Sequence, residues 1–260
     1  MLRQIRSKDK SPNSNVTKLK RSKNEGNVAW CERAMQAIRA ADKKNTYILL
    51  LGGSDTMAFR LRAAQSHLRE DMLPSFWSEA MLLALKDDNP LESADAIYVP
   101  LIQPEGPAFS PRNNGVVARP LRDFDNPDRY PNIALIALPV AQSIVLDYVE
   151  KFRKSRSTLD ALEHVVRWLA YAWGAGNTAN PLYENYGLPS ACMLETVFAA
   201  VNLDITPGLE SRVSCPEAIW VAARFWQSYF KEFKSGNELA GRYWTPHEYL
   251  IDEPKKNMQG

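Results

Sequence analysis

The chain has 260 residues, and its hydrophobic content of 45% is enough to form the core of one large domain or two small ones. Its 32 basic and 30 acidic side chains nearly cancel, which argues against a protein that coats nucleic acid. No apolar run approaches the roughly 20 residues of a membrane-spanning helix, and three cysteines without a Cys-x-x-Cys pair exclude a disulfide framework and a cysteine-rich zinc site. We therefore expect a soluble cytoplasmic protein without a membrane span.

The first part of the chain is basic. Residues 1–27 carry eight Lys and Arg residues against Asp9 and Glu25, with few apolar side chains. Such a segment buries too little surface to offset its ordering entropy, so the sequence predicts a disordered basic arm. The arm is either a solvated tail or a binder of nucleic acid, of acidic lipid or of an acidic partner. A single domain is expected over 28–245, followed by a tail over 246–260.

Beyond the arm, strands come first and helices later. An amphipathic pattern predicts a helix from Val28 to about Ala41, and the continuous apolar run Tyr47–Leu51 predicts a buried strand. A helix is expected next, with Ser54 or Asp55 as its N-cap. Further strands are predicted around 77–83, 96–101, 116–121 and 133–138, and further helices around 144–152, 159–173, 189–201 and 214–233. This order predicts an α+β fold with a small, mostly antiparallel sheet packed against several helices.

Two patterns that often carry chemistry are weak in this chain. Residues 52–55 (Gly-Gly-Ser-Asp) follow a strand and open a helix, a geometry that can cradle phosphate. They lack the Walker A and Rossmann spacings, so a capped turn is the simpler interpretation and no cofactor is expected. The three histidines, His67, His164 and His247, include no pair with ligand spacing, so no metal site is expected. His164 is predicted to face solvent, because it lies opposite the apolar stripe of its helix, which is Leu159, Leu162, Val166, Leu169 and Trp173.

The strongest local signal is the run Tyr186-Gly-Leu-Pro-Ser190-Ala-Cys192, which leads into a predicted helix. A glycine-containing loop here delivers a small nucleophilic side chain to a helix N-terminus. At that position the helix dipole and the free N–H groups can lower the pKa of a thiol and stabilise an oxyanion. The plain alternative is an ordinary capped helix with Pro189 in its first turn.

Two other phrases accompany this run. An early predicted strand contains Phe76-Trp-Ser-Glu-Ala-Met-Leu-Leu83, and the helix after Ser190 is followed by Asn202-Leu-Asp-Ile-Thr-Pro-Gly208. This order resembles the circularly permuted papain-like hydrolases of the NlpC/P60 superfamily, in the YiiX-like branch. In that branch an early strand carries a Ser-His pair, and a later helix opens with the nucleophilic Cys and ends in a phrase such as Gly-Ile-Asp-Leu-Thr-Pro-Gly. The resemblance covers residues 47–233 and implies a papain-like core.

The resemblance puts Glu79 at the position of the family's general-base histidine and Ser190 at the position of its nucleophile. Cys192 lies two residues further, about 200° around the helix, so it does not simply replace Ser190. A serine without an imidazole base is a poor nucleophile, and a carboxylate with an ordinary pKa of about 4.3 is a weak base unless burial raises that pKa. The resemblance therefore implies a degenerate site, in which the fold is kept and the hydrolase chemistry is lost.

Three functions are compatible with the sequence. The first is a papain-like pseudoenzyme that binds a protein partner or a ligand in the former catalytic cleft. The second is an active hydrolase or acyltransferase acting on amide or ester bonds. The third is an interaction protein whose basic arm binds nucleic acid or an acidic partner. The candidate site residues are Ser190, Cys192, Glu79 and His67 for catalysis, with Ser78 and Asp55 as ligand-binding neighbours.

Overall fold

The structure is a computed structural model that describes residues 16–38, 45–86, 91–102, 114–155, 158–175, 177–233 and 239–247. Within these ranges the chain forms an α+β fold with one seven-stranded mixed sheet and six α-helices. The strands are β1 (Val16–Lys18), β2 (Thr46–Gly52), β3 (Glu79–Ala84), β4 (Asp95–Tyr98), β5 (Val117–Pro120), β6 (Asn132–Leu138) and β7 (Ala240–Trp244). The helices are α1 (Asn27–Ile38), α2 (Thr56–Ala64), α3 (Gln142–Lys154), α4 (Thr158–Trp173), α5 (Pro189–Ala200) and α6 (Pro216–Phe233).

Strand β2 lies in the middle of the sheet, whose strand order is β1-β7-β6-β2-β3-β4-β5. It pairs antiparallel with β3 on one side and with β6 on the other. The remaining neighbours are also antiparallel, except for the parallel pair of β1 and β7. The consecutive apolar residues of Tyr47–Leu51 suit this position, because a central strand covered on both faces needs no polar side. The strand predicted from that run is confirmed.

Helices cover both faces of the sheet, so the domain has three layers. On one face α1 packs through Trp30 and Ile38 against a core that includes Leu49. On the other face α2 to α6 surround a second core, which contains the buried Trp168 and Phe198. None of the helices among the described residues combines the length and the apolar character needed to cross a bilayer.

Part of the segment predicted as a disordered arm belongs to the domain. Val16–Lys18 forms β1 at the edge of the sheet, and the Leu19 carbonyl accepts a hydrogen bond from Trp30 Nε1 (3.0 Å). Residues 16–27 are therefore part of the fold, although the sequence pattern placed them in the arm. A strand of three residues is too short to show a period, which explains why the sequence pattern missed it. Residues 1–15 and the predicted tail from 248 onward lie outside the described residues.

Helix α4 is rotated relative to the sequence prediction. Trp168 is fully buried, and its Nε1 donates to the Gly187 carbonyl (2.7 Å), which turns that face of the helix inward. His164 lies on the same side and is only 6% exposed, so its predicted solvent exposure is wrong. The helix is apolar on two sides, and the stripe predicted to face the core is instead largely exposed, at Leu162, Val166 and Trp173.

Candidate functional site

The first turn of α5 starts from a fixed frame. Gly187 N donates to the Arg212 carbonyl (2.8 Å), and Leu188 N donates to the Ser214 carbonyl (2.9 Å). Pro189 occupies the first helical position, where its missing N–H costs no helical hydrogen bond. The loop before α5 therefore fixes the orientation of the first turn and of its side chains.

Ser190 contacts Glu79 where α5 packs against β3. Glu79 is the first residue of β3, and its Oε1 accepts hydrogen bonds from Ser190 Oγ and from Ala80 N (3.1 Å). Ser190 is 2% exposed, whereas Glu79 is half-buried. The structure thus joins the two residues that the resemblance places at the nucleophile and base positions, although 111 positions separate them in the sequence.

Burial controls the protonation of Glu79. Removal from water disfavours the charged carboxylate and raises the pKa of Glu79 to about 7. The hydrogen bonds from Ser190 Oγ and Ala80 N favour the charged form and oppose this rise. The carboxyl group therefore gains or loses its proton near neutral pH, so it can either donate or accept a hydrogen bond there.

Glu79 lines a polar cleft of about 560 Å³, which we call the Glu79 cleft. Asp55 and Ser78, the predicted ligand-binding neighbours, line the same cleft, so three of the predicted site residues lie together. The polar side chains that the sequence did not predict come from three separate segments without a shared motif. They are Tyr98, Arg119, Asp123, Arg129 and Tyr130.

Asp55 and Ser78 also hold the backbone of the cleft. Asp55 is the N-cap of α2, and its Oδ1 accepts a hydrogen bond from Ala58 N (2.8 Å). Ser78 Oγ accepts a hydrogen bond from Gly53 N (2.9 Å) and donates one to the Leu51 carbonyl (3.3 Å). The Gly53 N–H group is therefore occupied, which favours the capped turn over the phosphate cradle considered for residues 52–55.

Two guanidinium groups give the cleft its positive charge. Arg119 Nε lies 3.3 Å from Asp123 Oδ2, and hydrogen bonding to the Tyr98 hydroxyl raises the pKa of Arg119. Arg129 stacks over the Tyr130 ring with its guanidinium carbon 5.3 Å from the ring centroid. Cations, carboxyl groups and phenols thus surround the same space.

His67 is not part of this arrangement. It lies in a short 3-10 helix at Ser66–Leu68, where its Nδ1 is 3.2 Å from the Ala64 carbonyl and its ring is 4.9 Å from the ring of Tyr183. Neither contact involves Glu79 or a candidate nucleophile. The structure therefore does not bring this predicted candidate base to the site.

Cys192 points away from Glu79, as its angular offset on the helix predicts. Its Sγ donates to the Arg212 carbonyl (3.2 Å) and to the Ser214 carbonyl (3.6 Å). Burial raises the pKa of Cys192, so the thiol keeps its proton despite its place near a helix N-terminus. His164 Nε2 lies 3.0 Å from the same Arg212 carbonyl. The helical pattern does not reveal this neighbour, because it places His164 on the solvent face of α4.

The described side chains of the Glu79 cleft indicate what kind of ligand it could bind. Within the described ranges, no three His, Cys, Asp or Glu side chains are grouped as a metal site requires. The Glu79 cleft offers one carboxyl group that titrates near neutral pH, two guanidinium groups and two phenols to a polar ligand. Comparison of the chain with family models, with curated proteins and with solved structures finds no match.

Proposed function

We propose that this chain is a papain-like protein that has lost hydrolase chemistry and binds a polar peptide segment of a partner protein in the Glu79 cleft. The observation that carries the proposal is the hydrogen bond from Ser190 Oγ to Glu79 Oε1. It joins the two positions at which the papain-like resemblance puts the nucleophile and the general base. A serine and a carboxyl group stand there, where the family has a cysteine and an imidazole.

Access to Ser190 supports binding over hydrolysis. An attacking oxygen must come within about 3–3.5 Å of the substrate carbonyl, but Ser190 is only 2% exposed and donates its hydrogen bond to Glu79. It is not among the described residues that line the cleft, whereas Glu79 is. Cys192 is directed to another part of the fold with its proton retained. Among its described lining residues, the cleft therefore presents the Glu79 carboxyl group, and the one serine, Ser78, has its hydroxyl engaged with Gly53 N and the Leu51 carbonyl.

The side chains of the cleft suit a polypeptide. Arg119 and Arg129 offer fixed donors, Asp123 offers an acceptor, and Tyr98 and Tyr130 offer both apolar rings and hydroxyl groups. Arginine and tyrosine are, together with tryptophan, enriched among the residues that dominate the binding energy of protein interfaces. A peptide segment carries N–H groups, carbonyl groups and side chains of both charges, so it can satisfy all of these groups together.

The proposal is tested with a random hexapeptide library selected on the immobilised full chain. Selected peptides are expected to bind the native chain and to be recovered intact after long incubation, as mass spectrometry can verify. Arg119→Glu should weaken their binding at least about tenfold, equivalent to about 1.4 kcal/mol, because it reverses a charge inside the cleft. Lys154→Glu on α3 is the matched control, since Lys154 pairs with Glu150 on the helix surface.

Two results would contradict the proposal. Cleavage of the selected peptides by the native chain, abolished by Ser190→Ala, would establish the hydrolase instead. Equal binding to the native chain and to the Arg119→Glu variant would show that the peptides bind outside the Glu79 cleft.

A further inference from the structure

A second cavity lies on the other side of the first turn of α5. It has a volume of about 520 Å³, within the range of small-molecule sites, and we call it the Cys192 cavity. It lies among α3, α4, α5 and the short 3-10 helix at Ser211–Val213. Its described lining residues include none of those that line the Glu79 cleft. The two spaces are therefore separate candidate sites.

The walls of the Cys192 cavity are mainly apolar. Val99, Phe152, Val197 and Ala200 contribute aliphatic and aromatic surface from β4–β5, α3 and α5. Burial of apolar surface in such a cavity is favourable in proportion to the area removed from water. A ligand that fits here therefore has a hydrocarbon or aromatic body.

The mouth of the cavity is positively charged. Lys151 and Arg212 both line it and are both exposed, and no Asp or Glu is among its described lining residues. The described partner of the Lys151 ammonium is the Tyr148 ring, whose centroid is 4.1 Å away, and the Arg212 guanidinium carbon lies 5.9 Å from the Tyr186 ring centroid. Both contacts leave the cations able to pair with an anion that sits at the mouth.

We propose that the Cys192 cavity binds an amphiphile with an apolar body and a single anionic head group, of the type of a medium-chain carboxylate. The body occupies the space beside Phe152, Val197 and Ala200, and the head group lies between Lys151 and Arg212. An apolar wall that carries two exposed cations and no acidic side chain among its described residues excludes a cationic amphiphile by charge and discriminates against an uncharged one.

Cys192 provides a reporter inside this cavity. Its thiol lines the cavity and is partly exposed, whereas Cys31 and Cys215 are fully buried elsewhere in the core. The native chain is treated at pH 7 with methylmercuric chloride, which binds a protonated thiol and releases its proton, in the presence of decanoate, decanol or decylamine, and labelling is followed for each cysteine by mass spectrometry. Labelling of Cys31 and Cys215 reports unfolding and sets the upper limit of amphiphile concentration.

Decanoate is expected to protect Cys192 at concentrations at least about tenfold lower than decylamine does, with decanol between them. Lys151→Glu should remove this preference for decanoate, whereas Lys154→Glu, one turn further along α3, should leave it unchanged. Ala200→Phe, which places a large ring against the cavity from an exposed position, should abolish protection by all three compounds.

Equal protection by decanoate and decylamine would overturn the proposal, because it would show a merely apolar surface. Absence of protection by decanoate at millimolar concentration would also overturn it, and so would an unchanged preference in Lys151→Glu. None of these outcomes depends on the Glu79 cleft, so the proposal stands or falls separately from the proposed function.

Discussion

Two residues of one helical turn, Ser190 and Cys192, lie in different chemical surroundings. On the Ser190 side the neighbour is Glu79, whose carboxyl group belongs to a polar cleft with charges of both signs. On the Cys192 side the neighbours are the backbone carbonyls of Arg212 and Ser214, next to an apolar cavity whose mouth carries cations.

The comparison shows that a helix N-terminus alone does not activate a nucleophile. The dipole and free N–H groups of the turn act on both residues, yet burial raises the pKa of Cys192 and the hydroxyl of Ser190 is held by a carboxyl group. What decides reactivity is the partner on each side, since an imidazolium stabilises a thiolate whereas a carbonyl oxygen binds the protonated thiol.

The largest expected effect comes from placing a cysteine and a histidine, the pair of a papain-like hydrolase, on the Ser190 side. In the double variant Ser190→Cys/Glu79→His, the introduced thiol should titrate at least about 3 units below the ordinary value of about 8.5, because it faces an imidazole as in papain. Thiolate absorbance at 240 nm against pH measures this without requiring access to the buried position. The three native thiols contribute no thiolate absorbance in that pH range, because burial keeps them protonated.

The single variant Ser190→Cys is the matched control for that experiment. Its introduced thiol faces the Glu79 carboxyl group, so it should titrate above the ordinary value. If single and double variants titrate alike while far-ultraviolet circular dichroism shows both folded, positions 79 and 190 are not a degenerate nucleophile–base pair, and the papain-like proposal fails.

The next largest effect is expected from crowding the Cys192 side with Gly187→Ala. A Cβ at residue 187 would lie 2.6 Å from Cys192 Sγ and closer still to the Ser214 carbonyl oxygen, so the loop has to move. We expect a loss of about 3 kcal/mol in the free energy of unfolding, measured by urea denaturation, with faster alkylation of Cys192. Ser190 and Glu79 should keep their contact.

Gly208→Ala separates this crowding from the general cost of replacing a glycine. Gly208 has a φ of +84°, but a Cβ there meets nothing within 4 Å, so only backbone strain of about 1–2 kcal/mol is expected. An equal loss of stability in the two variants would mean that the loop before α5 is not the rigid frame described above.

The central strands were predictable because their signal is local. The run Tyr47–Leu51 is long, continuous and apolar, and it forms the middle of the sheet. Val16–Lys18 has only three residues and owes its strand conformation to pairing with β7, which no local pattern reveals. Helix α4 has apolar residues on two sides, so periodicity could not decide between them, and burial of Trp168 made the choice.

The candidate site also contains some residues with a local sequence signal and others without one. The Ser190–Glu79 contact was suggested by motifs, since the resemblance assigns both positions from short phrases. Arg119 and Arg129 could not be found from sequence, because neither belongs to a motif and they lie on separate segments that only the folded sheet brings to the cleft. When residues are far apart in the sequence and share no motif, only tertiary packing determines whether they lie in the same site.

The smallest of the expected effects tests the charge on the Glu79 side through pH. The pKa of Glu79 rises in the folded chain from 4.5 to about 7, so the folded state binds more protons than the unfolded state between these values. The contribution of Glu79 to the free energy of unfolding is therefore fully present below pH 4.5 and is lost as the pH rises through 7.

The variant Glu79→Gln keeps an acceptor for Ser190 Oγ but cannot ionise. It should match the native chain at pH 4 and exceed its free energy of unfolding by about 2–3 kcal/mol at pH 8. Urea denaturation at both pH values measures the difference, and Glu150→Gln, which removes an exposed ion pair with Lys154, should change it by less than about 1 kcal/mol. If Glu79→Gln is no more stable than the native chain at pH 8, the Glu79 carboxyl group is solvated. Burial then does not raise its pKa, and the comparison with Cys192, whose thiol burial keeps protonated, fails on the Glu79 side.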